Sequence, residues 1–315
     1  MSSPMRAALI ESCGRPPVTG SVPRPLAGAG DVLLSVTCAP ITPLDLLCAS
    51  GVSYFGEPAL PYVPGVQGVG ITPDGERVWF PTSAGMAPGN GSMAEFCAVP
   101  TSDLVRLPDD CDDVAAASLG LSAVAAWLAL TWRARLTRGE KVVVLGAGGT
   151  VGQVALRAAW LLGAGDVVGV SRAPRPGCIP LEPVATLAAR LRETIGTADV
   201  VIDPVFGEPA EAALRVLGPG GRLVNLGGSA SDSAVLSSAL LRSGAVSVLG
   251  YSNNAVSREQ RGAALSTIFG HAARGELSVD HHVVGLDEVG AAWDGTGGGR
   301  AVVRVTEVPS GLGVP

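Results

Sequence analysis

Charged side chains are scarce in this chain of 315 residues: Asp, Glu, Lys and Arg together make up 16% of it. The basic residues form no run, and the net charge is -6. An acidic chain without a Lys/Arg cluster lacks the electrostatic footprint of a nucleic-acid surface. Disorder is excluded too, because 47% of the residues are hydrophobic and such a chain collapses around a core. No apolar run is expected to reach the roughly 18 residues that a membrane span needs. The opening "MSSPMRAALIESCG" has no long apolar stretch of the secretory kind, so the expected location is the cytoplasm.

Metal-binding patterns are missing as well. The six cysteines, Cys13, Cys38, Cys48, Cys97, Cys111 and Cys178, form no CxxC pair, and no His stands at ligand spacing from any of them. Scattered through a chain this long, they read as reduced core residues. Histidine occurs three times, always late: His271, His281 and His282. Neighbours on a strand point to opposite faces, so His281 and His282 do not easily share a metal. No internal repeat is visible, and the one low-complexity spot is "GTGGG" at Gly295–Gly299, which reads as a surface turn.

What is present falls into three textures. The first hundred or so residues read as short strands, "MRAALI", "DVLLSVTC" and "SMAEFCAVP", with Gly/Pro turns between them. "GVGITPDGERVWFP" reads as a hairpin around Pro73-Asp74-Gly75. "ITPLDLLCASG" is a short helix with Thr42 as its cap, Pro43 as its first residue and Gly51 as its stop. Near Asp112 the chain turns Ala/Leu-rich, with acids at the start of a predicted helix pair and arginines at its end. Strands and helices then alternate: Lys141–Leu145 strand, Val151–Leu162 helix, Val167–Val170 strand, and a helix around Val184–Thr194. That alternation builds a parallel sheet with helices on both faces. After Tyr251 come a helix from about Ser257 to Arg274, a strand at "HHVVGL" and a closing strand at "RAVVRVTEV". The fold class is therefore α/β: a small β-rich unit (1–115), a doubly wound domain (116–254) and a return segment (255–315).

The most informative stretch is "KVVVLGAGGTVGQVALRAAWLLGAGDVVGVSRAP". Gly146, Gly148, Gly149 and Gly152 lie between a strand and a helix that Thr150 and Val151 open. A dinucleotide diphosphate needs glycine there for a tight turn, for close backbone approach and for close helix–strand packing. The helix start adds unpaired N–H groups and the positive end of its dipole. The alternative is a packing turn in an α/β fold that binds nothing. An Asp or Glu at the end of the second strand would hold the 2′-hydroxyl of NAD, and none is there. Ser171 and Arg172 end that strand, Arg175 follows, and Asp166 is at its wrong end. A hydroxyl and forked positive charge suit a 2′-phosphate, so NADPH is the expected cofactor. The alternative is that both arginines are solvated loop charges.

These segments, in this order, resemble the medium-chain dehydrogenase/reductase superfamily, and within it the zinc-free quinone oxidoreductases. The matching stretches are "ITPLDLLCASG", "LPYVPGVQGVG", "GERVWF", "GSMAEFCAVP", "LGAGGTVGQ", "DVVIDPVFG", "LGPGGRLVNLGG" and "GGRAVV". The resemblance implies a GroES-like β-barrel built from both ends of the chain, a Rossmann domain between them, an active site in the cleft, and a homodimer joined through edge strands. Zinc-dependent members carry a Cys near "APITPLD" and a His near "PGVQGVG". Here the second place holds Val66 and Gln67, and the cysteine-rich structural-zinc lobe is absent. No metal is therefore expected, and alcohol oxidation is demoted. The segment after Arg172 is shorter than is usual in the family.

The resemblance also supplies candidate residues. Thr42 and Asp45 lie where members have a polar pair. Tyr54 falls one residue out of step with a proton-donating tyrosine of related enoyl-thioester reductases; it either donates a proton or walls the pocket with Phe55. Asn225, Gly227, Gly228 and Ser229 are expected beside the nicotinamide. Tyr251, Asn253 and Asn254 occupy the next cofactor-contacting loop, although both asparagines also suit a turn. The expected activity is NADPH-dependent reduction of a quinone or another electron-poor enone or carbonyl, with a small molecule as the only partner besides a second copy. The alternatives are a biosynthetic enone or 2-enoyl-thioester reductase, and a catalytically idle NADPH-binding sensor.

Overall fold

The computed structural model describes residues 3–295 and 297–306. Contacts divide the chain into two compact units. The first comprises Met1–Gly120, Leu265–Gly275 and Val279–Pro315, and the second Leu121–Ala264 and Glu276–Ser278. The divisions expected at 115/116 and 254/255 thus fall at Gly120/Leu121 and Ala264/Leu265. A local cause is visible at the first: the helix Asp113–Leu128 (α2) is broken at Gly120, where φ is 36° and ψ is -134°.

The first unit is built from β1 (Pro4–Leu9), β2 (Val18–Pro23), β3 (Asp31–Pro40), helix α1 (Pro43–Ala49), β4 (Gln67–Ile71), β5 (Arg77–Pro81), β6 (Phe96–Pro100) and β7 (Val105–Arg106). The predicted hairpin is β4–β5, paired from Gln67↔Pro81 to Ile71↔Arg77. Its turn closes through Gly75, whose φ of +86° only glycine adopts freely. From the far end of the chain come β14 (His281–Gly285), helix α8 (Val289–Ala292) and β15 (Arg300–Arg304). The last strand pairs antiparallel with β3, Val302 opposite Pro40. The chain's return therefore adds two strands to this sheet, β15 antiparallel to β3 and β14 parallel to β15. The core inside it includes Ile10, Leu34, Val36, Phe80, Met93 and Trp293. Burying each such side chain contributes about 1.5–3 kcal/mol.

The second unit is a six-stranded sheet in the order β10-β9-β8-β11-β12-β13, with every neighbouring pair parallel. The strands are β8 (Lys141–Val144), β9 (Asp166–Ser171), β10 (Cys178–Pro180), β11 (Ala198–Asp203), β12 (Leu217–Asn225) and β13 (Ser247–Gly250). Helices α3 (Thr150–Leu161), α4 (Val184–Ile195), α5 (Glu208–Leu214) and α6 (Ser238–Ser243) connect them. Numbered from β8, the order is 3-2-1-4-5-6, the doubly wound arrangement whose ligand crevice lies where the winding reverses, between β8 and β11. In α4, Leu187, Ala188, Leu191 and Ile195 are buried, one face at helical spacing. In α3, Val154, Ala155 and Ala158 are buried, while Val151 and Leu162 are only half-buried. Strand β10 escaped sequence reasoning because three residues between prolines and a glycine carry no periodicity. The sixteen-residue helix α7 (Arg258–Ala273) matches the expected one.

One expectation is corrected. The stretch Asp113–Arg133 is 21 residues long with a hydropathy of 1.8, long and apolar enough to cross a membrane by length and composition; 72% of its most apolar 18 residues are buried inside the protein. Its apolarity serves packing, since Ala116, Ala117, Leu119, Ala123 and Ala126 are all buried.

Candidate cofactor and acceptor sites

The glycine turn after β8 separates into three physical roles. Gly146 has φ +62°, and a Cβ there would meet Val205 Cγ1 at 2.8 Å. It lets the turn tighten against the loop that follows β11. Gly152 faces the turn's own backbone: a Cβ would lie 2.3 Å from the Gly146 oxygen and 2.8 Å from Ala147 Cα. No side chain fits between α3 and the strand. Gly148 and Gly149 are the opposite case. A Cβ on Gly148 would meet nothing nearer than Arg175 Nε at 3.9 Å, and one on Gly149 nothing nearer than the Gly146 oxygen at 3.5 Å. The exposed backbone of these two residues opens onto space at the start of a twelve-residue helix. That division matches the requirements of a dinucleotide diphosphate, so the residues fit the cofactor. Gln153, which sequence reasoning missed, braces the turn by donating from Nε2 to the Gly148 carbonyl at 3.0 Å.

The neighbouring strand ends close in around this turn. Asp203, at the end of β11 and fully buried, accepts from the Val205 and Phe206 N–H groups at 3.0 and 2.7 Å. It also accepts from Asn225 Nδ2 at 3.3 Å. Burial pushes its carboxyl above the ordinary range, against the pull of those donors. Phe206 is held at φ +57°, a strained conformation of the kind that gathers at functional sites. Asn225 also donates to the Gly227 carbonyl at 2.9 Å. Gly227 approaches the Pro204 oxygen closely, 3.2 Å from a Cβ position. Gly228 and Ser229 are exposed beyond it. The ends of β11 and β12 are thus tied by one network, and Asp203 is its centre. A carboxylate followed by Pro was its only signal in the sequence.

At the end of β9 the structure sorts the three expected 2′-phosphate residues. Ser171 is buried and its hydroxyl donates to the Ala173 carbonyl, so it is engaged by its own loop. Arg172 is exposed. Arg175 is half-buried and lies against Gly148. Asp166 stands opposite Lys141 at the start of the strands, far along the chain direction from the turn.

After β13, the Tyr251 hydroxyl donates to Asn253 Oδ1 at 2.7 Å, and Asn253 Nδ2 donates to the Leu121 carbonyl at 3.3 Å. Burial raises the Tyr251 phenol well above its ordinary value. Asn253 therefore holds the loop, while Asn254 is exposed.

In the first unit, Thr42 and Asp45 form a capping box at the start of α1. The Thr42 N–H and hydroxyl donate to Asp45 Oδ2 at 2.9 and 2.6 Å. Asp45 Oδ1 accepts from the Gly65 and Val66 N–H groups at 3.0 and 2.9 Å. Both carboxylate oxygens are thus occupied, and burial pushes the group above its ordinary range against those donors. Asp45 acts as a peg joining α1 to the Gly65–Val66 turn; this geometry leaves it no proton to trade with a ligand. Behind it, buried Arg300 of β15 donates to the Ile41 carbonyl at 2.8 Å, a contact between residues 259 apart that sequence spacing could not reveal. Tyr54 is 71% exposed, with its ring 4.2 Å from that of Phe55. At Val66 and Gln67, where the resemblance to zinc-dependent members would have a His, both residues are buried and the Gln67 side chain fills the kink at Gly120. Among the described residues no group of three His, Cys, Asp or Glu is placed to hold a metal ion. The donor set does not fit a zinc site.

A family model described as zinc-binding dehydrogenase matches residues 182–303. A zinc-type alcohol dehydrogenase-like protein of Schizosaccharomyces pombe is 33% identical over 213 residues, 64% of this chain and 63% of that protein. The chain thus covers less than two thirds of that relative. Polyketide synthase GfsB of Streptomyces halstedii is 34% identical over 203 residues, 62% of this chain but 3% of that protein. The quinone oxidoreductase of Thermus thermophilus, a protein solved also with NADPH, superposes with a TM-score of 0.80 at 28% identity, over 96% of this chain and all of that one. In sequence and fold this chain is therefore similar to oxidoreductases of the zinc-binding dehydrogenase and quinone oxidoreductase kind.

Proposed function

We propose that the protein is an NADPH-dependent, zinc-independent reductase of a quinone or another electron-poor enone or carbonyl. The observation that carries this reading is the turn at Gly146–Gly152. Two of its glycines are required by protein packing, and the two between them are required by nothing in the protein. They are explained by a ligand whose phosphates approach the backbone. The missing carboxylate at the end of β9 and the exposed Arg172 favour the 2′-phosphorylated cofactor. When bound, that cofactor supplies the hydride. The chain binds the diphosphate on the N–H groups at the start of α3, and the Asp203–Asn225 network fixes the loops of the neighbouring strands. Tyr54 presents a solvent-facing phenol able to donate a hydrogen bond or a proton to an acceptor oxygen.

A second reading, reduction of enoyl thioesters, is supported by the likeness to a polyketide synthase. A third is an NADPH-binding protein without turnover. We also propose a homodimer formed along β13, the outermost strand of the parallel sheet, where Val248 is 37% exposed; sedimentation that shows only monomer would refute it. The main test follows NADPH absorbance with a panel of quinones, enones and enoyl thioesters, before and after chelation. Quinone-driven oxidation that survives chelation is expected. Turnover of thioesters alone supports the second reading. Tight NADPH binding with no acceptor used supports the third. Activity lost with a stoichiometric zinc ion overturns the zinc-independent mechanism.

A further inference from the structure

The two arginines of the β9–β10 connection were expected to share one job, reading the 2′-phosphate. Their positions differ. Arg172 follows directly on β9 and is exposed. Arg175 turns back toward the glycines, with Nε and Cδ at 3.9 and 4.0 Å from the place where Gly148 would carry a Cβ. The loop is built to hold it there. Ser171 bonds the Ala173 carbonyl, the Cys178 N–H bonds the Arg175 carbonyl at 3.1 Å, and the Leu181 N–H bonds the Ser171 carbonyl at 2.9 Å. Pro174 and Pro176 flank Arg175 and fix the backbone dihedrals on both sides. Three residues beyond, β10 pairs with β9 from Cys178↔Gly169 onward, so the connection has no slack to carry Arg175 away from the turn.

We infer that Arg175 is a clamp on the cofactor's diphosphate, indifferent to the 2′-phosphate, and that Arg172 alone reads the 2′ position. This rests on the dinucleotide site proposed above. The open space before Gly148 and Gly149 is where the diphosphate meets backbone N–H groups, and a guanidinium beside Gly148 adds a charged, forked donor from the opposite side. The Ser171 hydroxyl is already engaged, so discrimination between the phosphorylated and unphosphorylated cofactors depends on a single side chain.

Three ligands separate the roles by direct binding, read by calorimetry and independent of turnover. NADP⁺ carries both phosphate features, NAD⁺ only the diphosphate, and 2′-AMP only the 2′-phosphate. For Arg175→Gln the expected result is an equal loss of affinity for NADP⁺ and NAD⁺, about 10–100-fold for a charge-assisted contact, with 2′-AMP unchanged. Arg175→Lys keeps the charge without the fork, so it should recover part of the loss for both dinucleotides alike. A loss confined to NADP⁺ and 2′-AMP, or no loss at all, overturns the clamp while leaving the dinucleotide site standing. If the wild-type protein binds neither dinucleotide, the cofactor reading itself fails, and the clamp with it. Melting of both variants without nucleotide shows whether the fold is intact, and the lysine variant carries the test should the glutamine variant unfold.

Discussion

Gly148→Ala separates the cofactor cradle from the fold. The added methyl meets no protein atom nearer than 3.9 Å, and Gly148 is not among the positive-φ residues. Without nucleotide the stability change should stay within about 0.5 kcal/mol, or rise slightly because the unfolded chain loses freedom. With nucleotide the outcome differs, because the methyl takes the space offered to the diphosphate. Suppose the substitution raises the dissociation constant about 100-fold. At a nucleotide concentration of about 100 times the wild-type constant, ligand-induced stabilisation falls from about 2.7 to about 0.4 kcal/mol. Gly152→Ala is the contrast. Its methyl would press on backbone at 2.3 and 2.8 Å, so it should cost about 1–3 kcal/mol even in the free protein. Urea unfolding with and without NADP⁺ reads all four quantities. Full ligand-induced stabilisation in Gly148→Ala would show that the turn is no cradle. A large loss of stability in the free variant would show that the open space is filled by protein.

Three further outcomes are expected. Arg172→Ala should weaken NADPH binding by about 1–3 kcal/mol and barely affect NADH, as read by fluorescence titration; a wild-type preference for NADH would defeat the assignment. Tyr54→Phe keeps the ring stacked on Phe55 and removes only the hydroxyl. If an enolate must be protonated in place, kcat on enones or enoyl thioesters should fall by about 10²–10⁴ while quinone reduction is spared; unchanged rates throughout make Tyr54 a wall. Glu140→Gln tests the second unit's ion pair, in which Arg222 donates to both carboxylate oxygens at 2.7 and 2.6 Å. Burial pushes the Glu140 carboxyl up, but the bonds from Arg222 and Thr137 outweigh it and leave the group lowered. A depressed carboxyl contributes stability that is complete above its unfolded pKa and is lost as pH falls through the folded one. The variant should therefore cost about 1–3 kcal/mol at neutral pH, a gap that closes on acidification; a gap constant with pH refutes the pair's contribution.

Much of the second unit was legible in the sequence because its signals are local. β8, the glycine turn and α3 lie within about twenty consecutive residues, and each glycine's role follows from its neighbours in the chain. The absence of a carboxylate at Ser171-Arg172 was equally readable. What the residues do with their side chains was not. Nothing in "SRAPRPG" shows that Ser171 bonds its own loop or that Arg175 folds back on Gly148, since both depend on the placement of β10. On the acceptor side, the capping box at Thr42 was visible as a helix start. The twenty-residue reach from Asp45 to the Gly65 and Val66 N–H groups was not, because only tertiary folding brings that turn to the helix.

Asp45 and Asp203 bear on the chemistry together. Each is a buried carboxylate, Asp45 in the first turn of α1 and Asp203 at the end of β11, and each faces backbone N–H groups. An acid–base catalyst needs an oxygen free to take or give a proton at the reacting atom. In these two each oxygen is already engaged, one by a neighbouring turn and the other by Thr42 or by Asn225. Asp45 and Asp203 therefore fix the backbone around them, and the groups proposed to meet ligands are peptide N–H groups, exposed arginine and an exposed phenol. That is the equipment for holding a dinucleotide and polarising an acceptor, where rate comes from alignment and preorganised donors. Alcohol oxidation would ask for more, since a proton must leave the hydroxyl as hydride leaves carbon, and among the described residues no group of three His, Cys, Asp or Glu is placed to hold a metal ion that could assist it. Backbone donors, an arginine and a phenol are what the proposed reduction of an electron-poor acceptor asks of the chain.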